Sequence, residues 1–149
     1  MALPGQKLRA PTFVRKIADE QLTSNATLQN DDELLLTGIA GWKYAFDGEL
    51  RYSTNSTANL KWSFAIPGGA TFVYSALYVP AGATALALTE FINSATGTAD
   101  DSATRIRWRG LLDMGPVSGN LHLQWAQNTS NAGATLVQNF SYLRMDRVG

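Results

Sequence analysis

The feature that most constrains this chain is alternation with a period of two. Trp42, Tyr44 and Phe46 alternate with Lys43, Ala45 and Asp47. Leu60, Trp62, Phe64 and Ile66 alternate with Lys61, Ser63 and Ala65; Ile106 and Trp108 alternate with Arg105, Arg107 and Arg109. Leu121, Leu123 and Trp125 alternate with His122, Gln124 and Ala126. Successive side chains of a pleated strand point to opposite faces, so each aromatic set lies on one side of its strand. The pattern predicts that all four tryptophans point into one core.

Turn residues cut the rest of the chain into strand-sized pieces. The first strand is expected from Thr12 to Ile17, and a second segment from Gln21 to Leu28 ends at the turn Asn30-Asp31-Asp32. Glu33 to Thr37 is a short apolar strand. Trp42 to Ser53 is a long strand or a strand with a bulge at Asp47-Gly48. Thr57 to Ile66 stops at Pro67-Gly68-Gly69, and Thr71 to Val79 stops at Pro80-Ala81-Gly82. Thr84 to Ile92 suits helix or strand, and its neighbours favour strand. Asn93 to Ser102 reads as a polar, mobile loop. Ala103 to Met114, Ser118 to Asn128, Ala134 to Asn139 and Ser141 to Val148 complete the set. About eight to ten strands with turns roughly every 8–12 residues are the signature of a sandwich or barrel. The expected fold is all-β, an antiparallel two-sheet sandwich of jelly-roll type.

At 149 residues the chain is long enough for one core. Lys7, Arg9, Arg15 and Lys16 all precede the first acid, Asp19, and Pro4, Gly5 and Pro11 oppose regular structure there. Residues 1–18 are therefore expected to form an extended basic arm that binds a partner, with the sandwich over 19–149. Net charge is zero, which argues against nucleic acid as the main partner. No secretory signal and no apolar stretch of membrane-spanning length are visible. With no cysteine, disulfides and thiolate metal sites are excluded.

Candidate chemistry is sparse. His122 is the single histidine and reads as a surface or interface residue. Asp31-Asp32-Glu33 and Asp100-Asp101 are acidic clusters without the spacing of a calcium loop. Asp47, Glu49, Glu90 and Asp113 are the carboxylates from which a glycosidase pair would have to come, and nothing brings two of them together. There is no phosphate loop and no nucleophile elbow. The expectation is a protein that is not an enzyme and needs no cofactor or metal. Alternation aligns Arg105, Arg107 and Arg109 on one strand face. That row is read as a solvated face, as an intersubunit salt-bridge row with acids such as Asp31, Asp32, Asp100 or Asp101, or as a contact for an anionic partner. Tyr52, Tyr74, Tyr78 and Tyr142 are either sugar-stacking platforms or half-buried edge residues. The many apolar strands suggest a homo-oligomer contact.

Two stretches carry a resemblance. One is Thr12-Phe13-Val14-Arg15-Lys16-Ile17-Ala18-Asp19 followed by Ser24-Asn25-Ala26-Thr27-Leu28-Gln29-Asn30-Asp31-Asp32-Glu33-Leu34. The other is Leu123-Gln124-Trp125-Ala126-Gln127-Asn128-Thr129-Ser130 with Ser141-Tyr142-Leu143. Together they resemble small virion structural proteins of tailed bacteriophages, over about residues 12–148. The resemblance implies a jelly-roll-like head decoration or head-fibre protein, or else a tail component. As a decoration protein the chain would bind the major capsid protein on the outside of the head, as a homotrimer made in the host cytoplasm. The alternative is a tail or fibre module that recognises a host through a surface glycan. On purely physical grounds, Asn30-Asp31-Asp32 is expected to cap a turn through side-chain acceptors. Gln124, Gln127 and Asn128 are expected to hydrogen-bond neighbouring backbone.

Overall fold

The computed structural model describes residues 12–149. Twelve strands are present among them: β1 (Thr12–Arg15), β2 (Glu20–Leu22), β3 (Gln29–Gly38), β4 (Lys43–Ser53), β5 (Leu60–Ala65), β6 (Thr71–Tyr78), β7 (Ala87–Ile92), β8 (Gly97–Ala99), β9 (Arg105–Asp113), β10 (Gly119–Gln127), β11 (Thr135–Val137) and β12 (Tyr142–Arg147).

The pairing has a simple logic. β6 pairs with β7, β5 with β8, β4 with β9, β3 with β10, β2 with β11 and β1 with β12, every pair antiparallel. The strands are thus nested like one long hairpin whose tip is the Pro80-Ala81-Gly82 turn. Rolling that hairpin up adds the lateral pairs β4–β12, β4–β11, β5–β10 and β6–β9. The result is two sheets. The large one runs β1-β12-β4-β9-β6-β7, with β11 and β2 attached; the small one runs β3-β10-β5-β8. A rolled-up hairpin split between two facing sheets is the jelly-roll arrangement expected from the sequence.

The inward faces carry the residues that alternation selects. Trp62, Trp125, Phe46, Phe64, Phe72, Tyr74 and Tyr52 are fully buried, and Trp108 nearly so. Phe64 meets Trp108 edge-on with ring centroids 5.0 Å apart, and Trp62 meets Tyr78 the same way at 5.0 Å. Edge-to-face geometry suits the ring quadrupoles. Trp42 is only half-buried, with the Arg147 guanidinium 3.7 Å from its ring centroid. Three of the four tryptophans therefore sit within the core and the fourth at its rim.

Four expectations need correction. Residues 12–18 are not an arm, because Thr12–Arg15 pairs with Tyr142–Met145 as part of the large sheet. The sandwich begins at Thr12 rather than at residue 19, and only residues 1–11 of the expected arm lie outside the described residues. The segment 93–102 is not a plain loop: Gly97–Ala99 forms β8 against β5. The second segment is shorter than 21–28, with the strand at Glu20–Leu22. Finally, β4 has continuous register through Asp47 and Gly48, so no bulge lies there. Gly48 instead leaves room for Leu143 and Trp108, which a Cβ would meet at 2.9 and 3.3 Å.

Candidate functional site

The outer face of the large sheet is the broadest assembled surface. Cross-strand register sets its rows, since directly opposed residues of antiparallel strands share a face. One row runs Arg15, Tyr142, Glu49, Arg107, Leu77, Leu88. The next runs Phe13, Arg144, Asp47, Arg109, Ser75, Glu90. A third runs Asp146, Ala45, Leu111, Val73, Ile92. Their central residues, among them Tyr142, Asp47, Arg107, Arg109, Leu77 and Leu111, line an open groove of about 1030 Å³.

The groove has a charged half and an apolar half. Arg105, Arg107 and Arg109 are exposed along β9, as their alternation predicts. Glu49 stands among arginines: its carboxylate is 3.1 Å from Arg107 Nε, 3.4 Å from Arg51 Nε and 3.7 Å from Arg105 Nε. Their side chains roof it, so it is 7% exposed although it points outward. Arg144 Nε donates to Asp47 Oδ1 at 2.9 Å. The hydrogen bond to Asp47 holds the Arg144 guanidinium above its ordinary value. Six guanidinium groups (Arg15, Arg51, Arg105, Arg107, Arg109, Arg144) share the face with four carboxylates (Asp47, Glu49, Glu90, Asp146), so the face is net positive. Arg109 makes no ion pair among the described residues. Within the chain, Arg105 and Arg107 share one acid, Glu49 on the neighbouring strand β4.

Toward β7 the face turns apolar. Leu77, Leu88, Ile92 and Leu111 are 40%, 73%, 55% and 59% exposed, beside half-buried Val73. They form two apolar groups, Leu77 with Leu88 and Leu111 with Val73 and Ile92, on either side of the row Arg109, Ser75, Glu90, and β7 is the last strand of its sheet. Scattered exposed leucines need no explanation, whereas apolar groups gathered on one face mark an interaction surface.

Of the four tyrosines considered as sugar platforms, Tyr52, Tyr74 and Tyr78 are buried and cannot stack on a ligand. Tyr52 donates to the Asp100 carbonyl at 2.7 Å, and Tyr74 accepts from Trp62 Nε1 at 3.2 Å. Burial pushes both phenols well above their ordinary value. Tyr142 alone lines the groove, stacked on Phe13 with centroids 5.7 Å apart. Its phenol is also raised, by burial and then by Asp47 and Glu49.

The expected arm residues divide. Lys7 and Arg9 lie outside the described residues. Arg15 is exposed, its guanidinium 4.8 Å from the Phe140 ring centroid. Lys16 contradicts its expected role: it is fully buried, bonded to Glu20 Oε2 at 2.7 Å and to both Asp31 oxygens at 3.0 and 3.1 Å. A cation so enclosed is not offered to a partner. The cause is a bulge. From Leu35 to Asn30, β3 takes five steps while β10 takes two, from His122 to Gln124. The slack turns the Asp31 side chain inward, where Oδ1 accepts from the N–H groups of Glu33 and Leu34 at 2.9 and 2.8 Å. Asp31 is thus the side-chain acceptor expected, but Asn30-Asp31-Asp32 belongs to β3 (Gln29–Gly38) rather than to a turn. Trp125 Nε1 donates to Asp31 Oδ2 at 3.1 Å. His122 is half-buried, its Nε2 2.7 Å from the Asp31 carbonyl oxygen. Gln127 bonds backbone as expected, donating to Gly133 and accepting from Asn25 and Asn131. Nothing in the sequence pattern announced the Lys16–Glu20–Asp31 cluster, because its members are brought together by the bulge.

The other carboxylates are dispersed or occupied. Asp113 faces Lys43 at 3.3 Å, and Glu90 lies opposite Ser75 on the edge pair. Asp100 accepts from the N–H groups of Ser102 and Gly82. No cluster of three metal-ligating side chains occurs among the described residues.

No family model matches the chain. No curated protein matches it. Among solved structures it aligns with a chain of infectious bursal disease virus Gt strain at 10% identity, over 93% of this chain and 42% of that one, with a TM-score of 0.27. It aligns with the infectious bursal disease virus VP2 subviral particle at 10% identity, over 93% and 41%, with a TM-score of 0.25. The chain spans about two fifths of the length of those chains. Scores this low lie beneath a shared fold, and the topology described above rests on strand pairing alone.

Proposed function

We propose that this protein is a structural component of a tailed-phage virion, a decoration protein that binds the outside of the assembled head. The observation that carries this reading is the outer face of the large sheet, where two groups of exposed apolar side chains, Leu77 with Leu88 and Leu111 with Ile92, flank Arg109 and adjoin a net-positive arginine field. Leu77, Leu88, Ile92 and Leu111 supply the area, and burying one such side chain is worth roughly 1.5–3 kcal/mol. The arginines supply orientation and select a partner surface rich in carboxylates. The partner is the major capsid protein, with the decoration protein trimeric and its residues 1–11, including Lys7 and Arg9, reaching over the shell. Many identical weak contacts on a lattice add without any one strong site. Asp47 and Glu49 serve the arginines as counter-ions rather than catalysis.

Cosedimentation with expanded, undecorated phage heads tests the reading, with molar mass by light scattering in parallel. Saturable binding of a trimer supports it. Failure to bind heads at any protein concentration contradicts it.

One observation favours a second reading, a tail or fibre module that binds a host glycan. Tyr142 lies in the groove beside Arg107 and Arg144, and an aromatic face flanked by donors suits a sugar. Glycan-array binding lost in Tyr142→Ala would favour that reading, and a blank array would remove it.

A further inference from the structure

We propose that Lys16 and Asp31 become joined by a spontaneous amide between Lys16 Nζ and Asp31 Cγ, with Glu20 as the proton-transfer group. The inference rests on the buried cluster alone and is independent of the function proposed above. Both side chains are wholly enclosed. Nζ lies 3.1 Å from Oδ1 and 3.0 Å from Oδ2, within reach of the carbon that joins them. Holding two reactants at such range replaces a collision by a local rearrangement, and effective molarities for aligned groups reach roughly 10⁵–10⁸ M. The surrounding donors fit the reaction. Oδ1 already accepts two backbone N–H groups, from Glu33 and Leu34, which would hold the oxyanion of a tetrahedral intermediate. Oδ2 faces Trp125 Nε1, which would ease its departure. Glu20 Oε2, 2.7 Å from Nζ, is placed to take a proton from the amine.

The balance closes without a co-reactant. Glu20 relays a proton from the Lys16 ammonium to Asp31 Oδ2, which gives the neutral amine and acid, and the amine lone pair attacks Asp31 Cγ to form the C–N bond. A second proton passes from the nitrogen through Glu20 to Oδ2. The C–Oδ2 bond breaks and that oxygen leaves as water. An ammonium and a carboxylate have become one amide and one water, and Glu20 is a carboxylate again.

The resting pair is ionised. Burial draws Lys16 down, but its hydrogen bonds to Glu20 and Asp31 hold it above the ordinary lysine value. Burial likewise draws Asp31 up, while the Glu33 N–H and Lys16 hold it lower. The reaction proceeds from the minor neutral pair, and loss of water from an enclosed site makes each event one-way. Burial raises Glu20, ahead of the opposing pull of Lys16, toward the range suited to proton transfer. The product ties the end of β1 to the start of β3, a covalent clasp between the two sheets.

Intact mass spectrometry of the full chain, purified folded and then denatured, tests this directly. The expected mass is one water below the sequence mass, with proteolysis yielding a branched peptide that contains Lys16 and Asp31. Lys16→Arg and Glu20→Gln, each shown to be folded by circular dichroism, are expected to keep the full sequence mass. A folded wild-type chain that holds the full mass after prolonged incubation would overturn the proposal. So would a lost water that maps elsewhere or persists in Lys16→Arg.

Discussion

Gly97 occupies a site that no other residue fits. A Cβ there would stand 2.2 Å from Trp62 Cζ2, and that indole is fixed by Tyr74, Tyr78 and Trp108. Gly97→Ala is expected to lose about 1–3 kcal/mol, the usual cost of overpacking, read as a lower denaturation midpoint with unchanged slope. An unchanged midpoint would show that Trp62 is free to move. Trp108 predicts a small effect. Its indole N–H is buried with no acceptor among the described residues, and an unpaired buried donor costs about 1–3 kcal/mol. Trp108→Phe removes that cost along with some packing, so it is expected to change stability by less than about 1.5 kcal/mol, against about 3–5 for truncation of a buried aromatic to alanine. Asp100 gives a pH prediction. Hydrogen bonds from Ser102, and then from the Gly82 N–H, hold its carboxyl below its ordinary value of 3.8. A group depressed by folding stabilises above its unfolded pKa, and that contribution fades as pH falls through the folded one. The Asp100 carboxyl shift, followed by NMR, is expected to titrate with a midpoint below 3.8; a midpoint at or above it contradicts the two-bond cap.

At the level of elements, alternation identified the long strands well, because β4, β9 and β10 each bury one face only. The row Arg105, Arg107, Arg109 was legible for the same reason. What pattern could not supply was register. Glu49 meets Arg107 only because β4 and β9 pair at that offset, and Leu88 joins Leu77 beside the arginines only because Leu77 lies opposite both Leu88 and Arg107. β8 was illegible because three small residues, Gly97-Thr98-Ala99, look like a loop until an indole lies on them. Lys16 was misassigned to the arm because its charge is local information, while its burial depends on the bulge at Asp31. Element scale also sets what Glu49 does. Exposed ion pairs are worth about 0–1 kcal/mol each, so Glu49→Gln is expected to shift stability little. It leaves the arginine row less neutralised, and retention on an anionic resin support is expected to rise at low salt. Equal retention of the two proteins would mean the row is quenched by other groups.

For the whole molecule, nested pairing brings the two ends of the described chain together in one sheet, with β1 held against β12. Such long-range pairing makes folding slow, on the scale of milliseconds to seconds, since loops must close before contacts reward them. It also sets how the N-terminal region tolerates deletion. Removing residues 1–11 leaves every described strand. Removing residues 1–18 takes β1 and Lys16, and leaves Asp31 buried without its cation. Breaking a buried pair from one side costs about 3–5 kcal/mol, which chemical denaturation would read directly. Equal stability of the two truncations would contradict the assignment of residues 12–18 to the sandwich.

The central claim is that the outer face of the large sheet is the docking surface. The most direct measurement is head binding by a variant carrying Leu88→Lys and Leu111→Lys, two exposed positions whose change leaves the core untouched. The account predicts a folded protein with unchanged thermal midpoint whose affinity for undecorated heads falls at least tenfold, a loss of about 1.4 kcal/mol or more. Binding equal to that of the unaltered protein would place the docking surface elsewhere.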